Sequence, residues 1–117
     1  LEKRHSILAQ MTRQAMKELG LKLLSESPSN SATGVFTPEG IDADKFRKDL
    51  LKIGVRVAGG QDHLKGKIIR IAHMGYFDYL DMIEVISAIE IALYKNGYKV
   101  DLGKGVKKAQ EIYINSL

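Results

Sequence analysis

Cysteine is absent from the 117 residues, which excludes a disulfide scaffold, any thiolate metal site and a cysteine nucleophile. No apolar run approaches the roughly 20 residues that cross a bilayer as a helix. The opening LEKRHSILAQMTRQ is polar and helical in pattern, without the apolar segment of a signal peptide. No membrane contact is expected, and a cytoplasmic location is. Repeats and low-complexity tracts are missing too. His5, His63 and His73 stand far apart in sequence and there is no HExxH pair, so no metal site is expected. A GxSxG nucleophile elbow is also lacking.

What remains is ordinary in bulk. Apolar residues make up 44% and charged residues 27%, as in a soluble globular domain, and 117 residues suffice for one core. The net charge of +4 permits nucleic-acid binding. The thirteen lysines and five arginines are scattered, however, where a nucleic-acid protein clusters its cations.

Hydrophobic spacing predicts a helix over 2–19, with Leu8, Met11, Ala15 and Leu19 on one face and Gly20 as its stop. Short strands follow at Leu21–Leu24 and Thr33–Thr37, separated by the turn-rich SESPSNSA. After the Pro38-Glu39-Gly40 turn, Asp42 caps a helix over 43–52 whose inner face is Phe46, Leu50 and Ile53. Strands are expected at Val55–Ala58 and Lys67–His73, joined through Gly59–Gly66. Asp78 caps a helix over 79–95, with Asp81 at its third position and Asn96-Gly97 at its end. A last helix over 104–115 carries Val106, Ala109 and Tyr113 on one stripe. The order αββαββα plus a C-terminal helix implies an α+β fold: a mainly antiparallel four-stranded sheet with helices on one face.

The unusual stretch is GGQDHLKGKIIRIAHMGY, from Gly59 to Tyr76. It is not a P-loop. Five residues separate Gly60 from Gly66-Lys67, and Ile68 stands where the magnesium-binding hydroxyl belongs. KGKIIRIAH lacks the stacking aromatics of an RNA-binding sheet. Alternation places Lys67, Ile69, Ile71 and His73 on one face, and Ile68, Arg70, Ala72 and Met74 on the other. Arg70 among apolar residues has two readings. It is a sheet-face charge that reaches an acidic neighbour or water, or it is held on a rigid strand for bidentate capture of a carboxylate.

GVRVAGGQDHLKGKIIRIAHMGY resembles the C-terminal domain of class V pyridoxal-phosphate aminotransferases, in the alanine–glyoxylate and serine–pyruvate branch that includes the soluble-hydrogenase small subunits. The similarity runs upstream through SPSNSATGVFTPEGIDADKFRKDL and downstream past FDYLD, covering about residues 1–95. It implies the small domain of fold type I over 1–97, followed by a helical extension over 98–117 that serves packing or a subunit contact. It implies that Arg70 binds the substrate α-carboxylate, with Gly59 and Gly60 shaping the backbone around it. Ala72 stands where the family commonly has glycine, and Asp62-His63 vary an often glycine-rich loop, which bears on substrate selectivity. The resemblance further implies that pyridoxal 5′-phosphate is held by a larger, preceding domain, and that the full-length enzyme acts as a homodimer on an amino acid and a 2-oxo acid. This chain, which starts at Leu1, is then a domain or fragment that folds without catalysing. The alternative is a free-standing α+β module that binds a small molecule or RNA.

Overall fold

A computed structural model describes residues 2–24, 32–72 and 78–117. Helix α1 (Glu2–Glu18) leads to strand β1 (Ala32–Phe36), helix α2 (Ala43–Ile53), strand β2 (Ala58–Gly59), a 3-10 turn (Asp62–Leu64) and strand β3 (Ile68–Ala72). Helices α3 (Tyr79–Lys95) and α4 (Lys104–Asn115) complete the chain. The fold is α+β, with an antiparallel sheet in the order β1-β3-β2.

Among the described residues the sheet has three strands, where four were expected. Leu21–Leu24 contributes only a single bridge, Leu23 to Val35. Gly20 takes a left-handed φ of 84°, and the Leu21 amide donates back to Met16 at 3.0 Å. The first residue of the expected strand thus closes the end of α1. Leu24 N to Gly34 O (2.9 Å) and Phe36 N to Lys22 O (2.8 Å) tie the segment to β1.

Strand β2 is likewise displaced from Val55–Ala58 to Ala58–Gly59. Gly54, at φ 109°, ends α2, and the Val55 amide donates to Leu50 O at 2.9 Å. The Val57 carbonyl accepts from the Arg47 side chain, so pairing with β3 begins only at Ala58. Strand β3 starts one residue later than expected, and its expected end at His73 lies outside the described residues, as do Met74 and most of SESPSNSA.

The helices form where capping chemistry places them. The Asp42 carboxylate accepts from the Lys45 amide at 3.0 Å, opening α2. Asp78 and Asp81 form a reciprocal capping box at the start of α3. One face of the sheet (Thr33, Val35, Ile69 and Ile71) and the helices share a core with Leu8, Met11, Ala15, Phe46, Leu50, Met82, Ile86, Ile89 and Leu93. Each large apolar side chain buried there contributes about 1.5–3 kcal/mol. Ile53 departs from its expected inward position: it is 42% exposed, because it is the last residue of α2 before the chain turns away at Gly54.

Two buried carboxylates join the helices. Glu90 on α3 accepts from the Gly103 and Val106 amides. It supplies the N-terminal cap that Gly103, lacking a side chain, does not give α4. Gly105 fits beside it because a Cβ there would lie 2.9 Å from Glu90 Oε2 and 3.0 Å from Leu19 Cδ1. Ala109 is fully buried on α4, with Val106 and Tyr113 packed against the core.

Asp49 on α2 accepts from Asn96 Nδ2 at 2.9 Å and from Lys45 Nζ at 3.2 Å. The Asn96 hydrogen bond holds its carboxyl below the usual range, helped by Lys45 and opposed by burial. A depressed folded-state value means stability that is complete above the unfolded carboxyl range and lost as pH falls through the folded value.

Asp49→Asn is therefore expected to cost about 1–3 kcal/mol at pH 7. It is also expected to flatten the loss of stability below pH ~4, as read by urea unfolding across that range. Glu90→Ala is expected to cost about 1–2 kcal/mol and to raise amide exchange in α4 before the rest of the fold.

Candidate functional site

Burial of Ile69 and Ile71 sends the intervening Arg70, and then Ala72, to the opposite face of β3. That face carries few large side chains. Arg70 lies directly across from Gly34 on β1 and Ala58 on β2, and Ala72 pairs with Ala32. None of these neighbours reaches over the guanidinium. The Leu24 side chain occupies the space above Gly34; a Cβ at Gly34 would lie 3.0 Å from Leu24 Cβ.

Ile68 is only 1% exposed despite sharing the Arg70 face by alternation. The Gly59–Gly66 connection folds back over it. A Cβ on Gly60 would collide with the Leu64 carbonyl and approach Ile68 Cγ1 to 2.9 Å. Gly60 is thus the point at which the loop closes on the strand.

Gly59 bears on Arg70 directly. Arg70 Nε donates to the Gly59 carbonyl at 2.9 Å, which fixes one edge of the guanidinium of this exposed residue. Among the described residues, no carboxylate pairs with Arg70. Of the two readings of this arginine, an acidic neighbour therefore finds no partner among those residues. What the arrangement can do chemically is present a planar donor fork, anchored at Nε, to an anion with two coplanar oxygens.

Lys65 and Lys67 are exposed surface charges, and Asp62, in the loop between them and Gly60, has a left-handed φ of 54°. No group of three metal-ligating side chains occurs among the described residues. The thirteen lysines are exposed except Lys108, which is half-buried. Leu24 and Arg47 were not singled out from sequence; Arg47 reaches β2 from α2 by its bond to Val57 O at 3.1 Å, and nothing in the local pattern marks either contact.

The chain is a homologue of the class V aminotransferases, matching a segment of their length. It is 39% identical over 112 residues to the soluble hydrogenase small subunit of a Synechococcus species, covering 93% of this chain and 29% of that protein. It is 36% identical over 110 residues to the serine–glyoxylate aminotransferase of Methylorubrum extorquens, covering 91% of this chain and 27% of that one.

Several solved structures share its fold. Pyridoxamine–pyruvate aminotransferase from Mesorhizobium loti superposes with a TM-score of 0.92 at 28% identity, over 98% of this chain and 31% of that one. Ureidoglycine–glyoxylate aminotransferase from Bacillus subtilis gives 0.90 at 29% identity, over 97% and 30%. No family model matches. The chain thus spans about 30% of the length of the relatives it matches. A match over 98% of the chain also takes in α4, beyond the residues 1–95 over which the motifs carry the resemblance.

Gly60→Ala tests the loop geometry. It is expected to cost about 1–3 kcal/mol, because backbone must move to admit the methyl group. Gly97→Ala, where a Cβ meets nothing within 4 Å, is expected to cost less, from backbone strain alone.

Proposed function

We propose that this chain is the C-terminal small domain of a pyridoxal-phosphate-dependent aminotransferase, in which Arg70 binds the α-carboxylate of the substrate. The observation that carries the reading is the state of Arg70: exposed, anchored at Nε by the Gly59 carbonyl, and bordered by Gly34 and Ala58. An arginine with a low-cost acidic neighbour would be a surface ion pair; this one keeps its outer nitrogens for a partner from outside the described residues.

The open face is half of a site, and the proposal assigns the facing half to the remainder of a longer protein. Residues 1–97 carry the small domain in this reading, and the helical extension over 98–117 is built into the same core through Ala109. The cofactor belongs to the larger domain and supplies the electron sink when bound. Arg70 contributes charge neutralisation and orientation: two parallel N–H···O bonds fix the plane of the carboxylate and hence the direction of the α-carbon substituents. Gly59 and Gly60 shape the backbone that holds it. The substrates are an amino acid and a 2-oxo acid, the working unit is a homodimer in the cytoplasm, and the isolated chain does not catalyse.

Arg70→Ala in the full-length protein is expected to raise KM for the amino acid about 10–100-fold, the scale of losing hydrogen bonds to a charged group. Arg70→Lys is expected to recover only part, since an ammonium lacks the fork. Steady-state kinetics with several amino acids check both. An unchanged KM in the alanine variant would remove Arg70 from the site.

A further inference from the structure

We propose that Arg47 is the positioning residue for Arg70, acting through the backbone of β2; the inference rests on the carboxylate role proposed above. Strand β2 has two residues and lies at the sheet edge, paired to β3 only through Ala58 and Gly59. A ladder that short does not by itself hold a peptide plane in one orientation. Arg47, on α2, supplies the missing constraint. Its Nε donates to the Val57 carbonyl at 3.1 Å, and its Nη1 pairs with Asp44 at 3.2 Å, one turn back on the same helix.

The guanidinium then lies against Gly59: a Cβ there would stand 2.7 Å from Arg47 Nη1 and 3.2 Å from its Cζ. The carbonyl of this same glycine accepts from Arg70 Nε at 2.9 Å. Gly59 is therefore pressed by one arginine at its α-carbon and gripped by the other at its oxygen. Its lack of a side chain is what allows the first contact, and its peptide orientation governs the second.

The Arg47–Asp44 pair is about one-third exposed at each side chain, 38% and 34%, so as an ion pair it adds little stability. Its effect is geometric. Asp44 aims the Arg47 fork, Arg47 fixes Val57–Gly59, and Gly59 fixes the Arg70 fork. Without Arg47 the acceptor for Arg70 Nε shifts, and a displacement of about 1 Å in a binding group is enough to degrade a reactive geometry.

The test uses the full-length protein and a double-mutant cycle. Arg47→Met keeps the aliphatic stem and removes the guanidinium. Gly59→Ala displaces Arg47 from the other side, and carries the test if the methionine variant does not accumulate as soluble protein. Each is expected to raise KM for the amino acid about 3–10-fold, with a smaller change in kcat and an unaltered absorption spectrum of the bound cofactor. In an Arg70→Ala background the same substitutions are expected to leave KM where Arg70→Ala alone puts it, since Arg47 then has nothing to position.

An equal KM increase in both backgrounds would show a general structural role and overturn the inference. So would an unchanged KM in both variants while Arg70→Ala raises it. If Arg70→Ala itself leaves KM unchanged, the carboxylate role fails first and the inference falls with it.

Discussion

Because successive side chains of a strand alternate between its faces, burying Ile69 and Ile71 against the helices obliges β3 to turn Arg70 outward. The rest of the structure follows from that one constraint. Strand β3 is central, held on both edges, so the cation has a rigid base. Its neighbours across the ladder are Gly34 and Ala58, and small residues at those two places keep the outward face low. The helices α1, α2 and α3 contribute the apolar mass that makes slipping the register costly: a one-residue shift would bury a guanidinium and expose two isoleucines.

Much of this was legible in the sequence, for local reasons. Asp42 and Asp78 precede apolar periodicity at helical spacing, and both cap as expected. The face of Arg70 follows from alternation alone. Strand boundaries at Leu21 and Val55 were not legible, because each residue closes the preceding helix through a backbone bond to Met16 or Leu50. Such a bond competes with strand pairing and leaves no mark in β-propensity. Glu90 and Arg47 were opaque for a different reason. One caps a helix 13 residues away and the other steadies a strand 10 residues away, and side chains that serve a distant backbone carry no local signature.

The kinship with class V aminotransferases and the geometry of the sheet support one another without being the same argument. Fold alone names no chemistry. The relatives reach across nearly all of this chain but leave about 70% of their own length unmatched, and the lysines present here are surface residues. Among the described residues, the feature left over once the core is accounted for is an exposed arginine, held at Nε by the Gly59 carbonyl and without a carboxylate partner. In the function proposed above, a facing surface from the rest of a longer protein would shield the carboxylate from the water that otherwise weakens such a contact.

The most direct test of this account is the crystal structure of the full-length protein with a bound amino-acid substrate or a carboxylate analogue. The account predicts that the Arg70 Nη atoms lie about 2.7–2.9 Å from both carboxylate oxygens while Nε stays on the Gly59 carbonyl. A carboxylate bound elsewhere, with Arg70 paired to an aspartate or glutamate from the remainder of the protein, would contradict it.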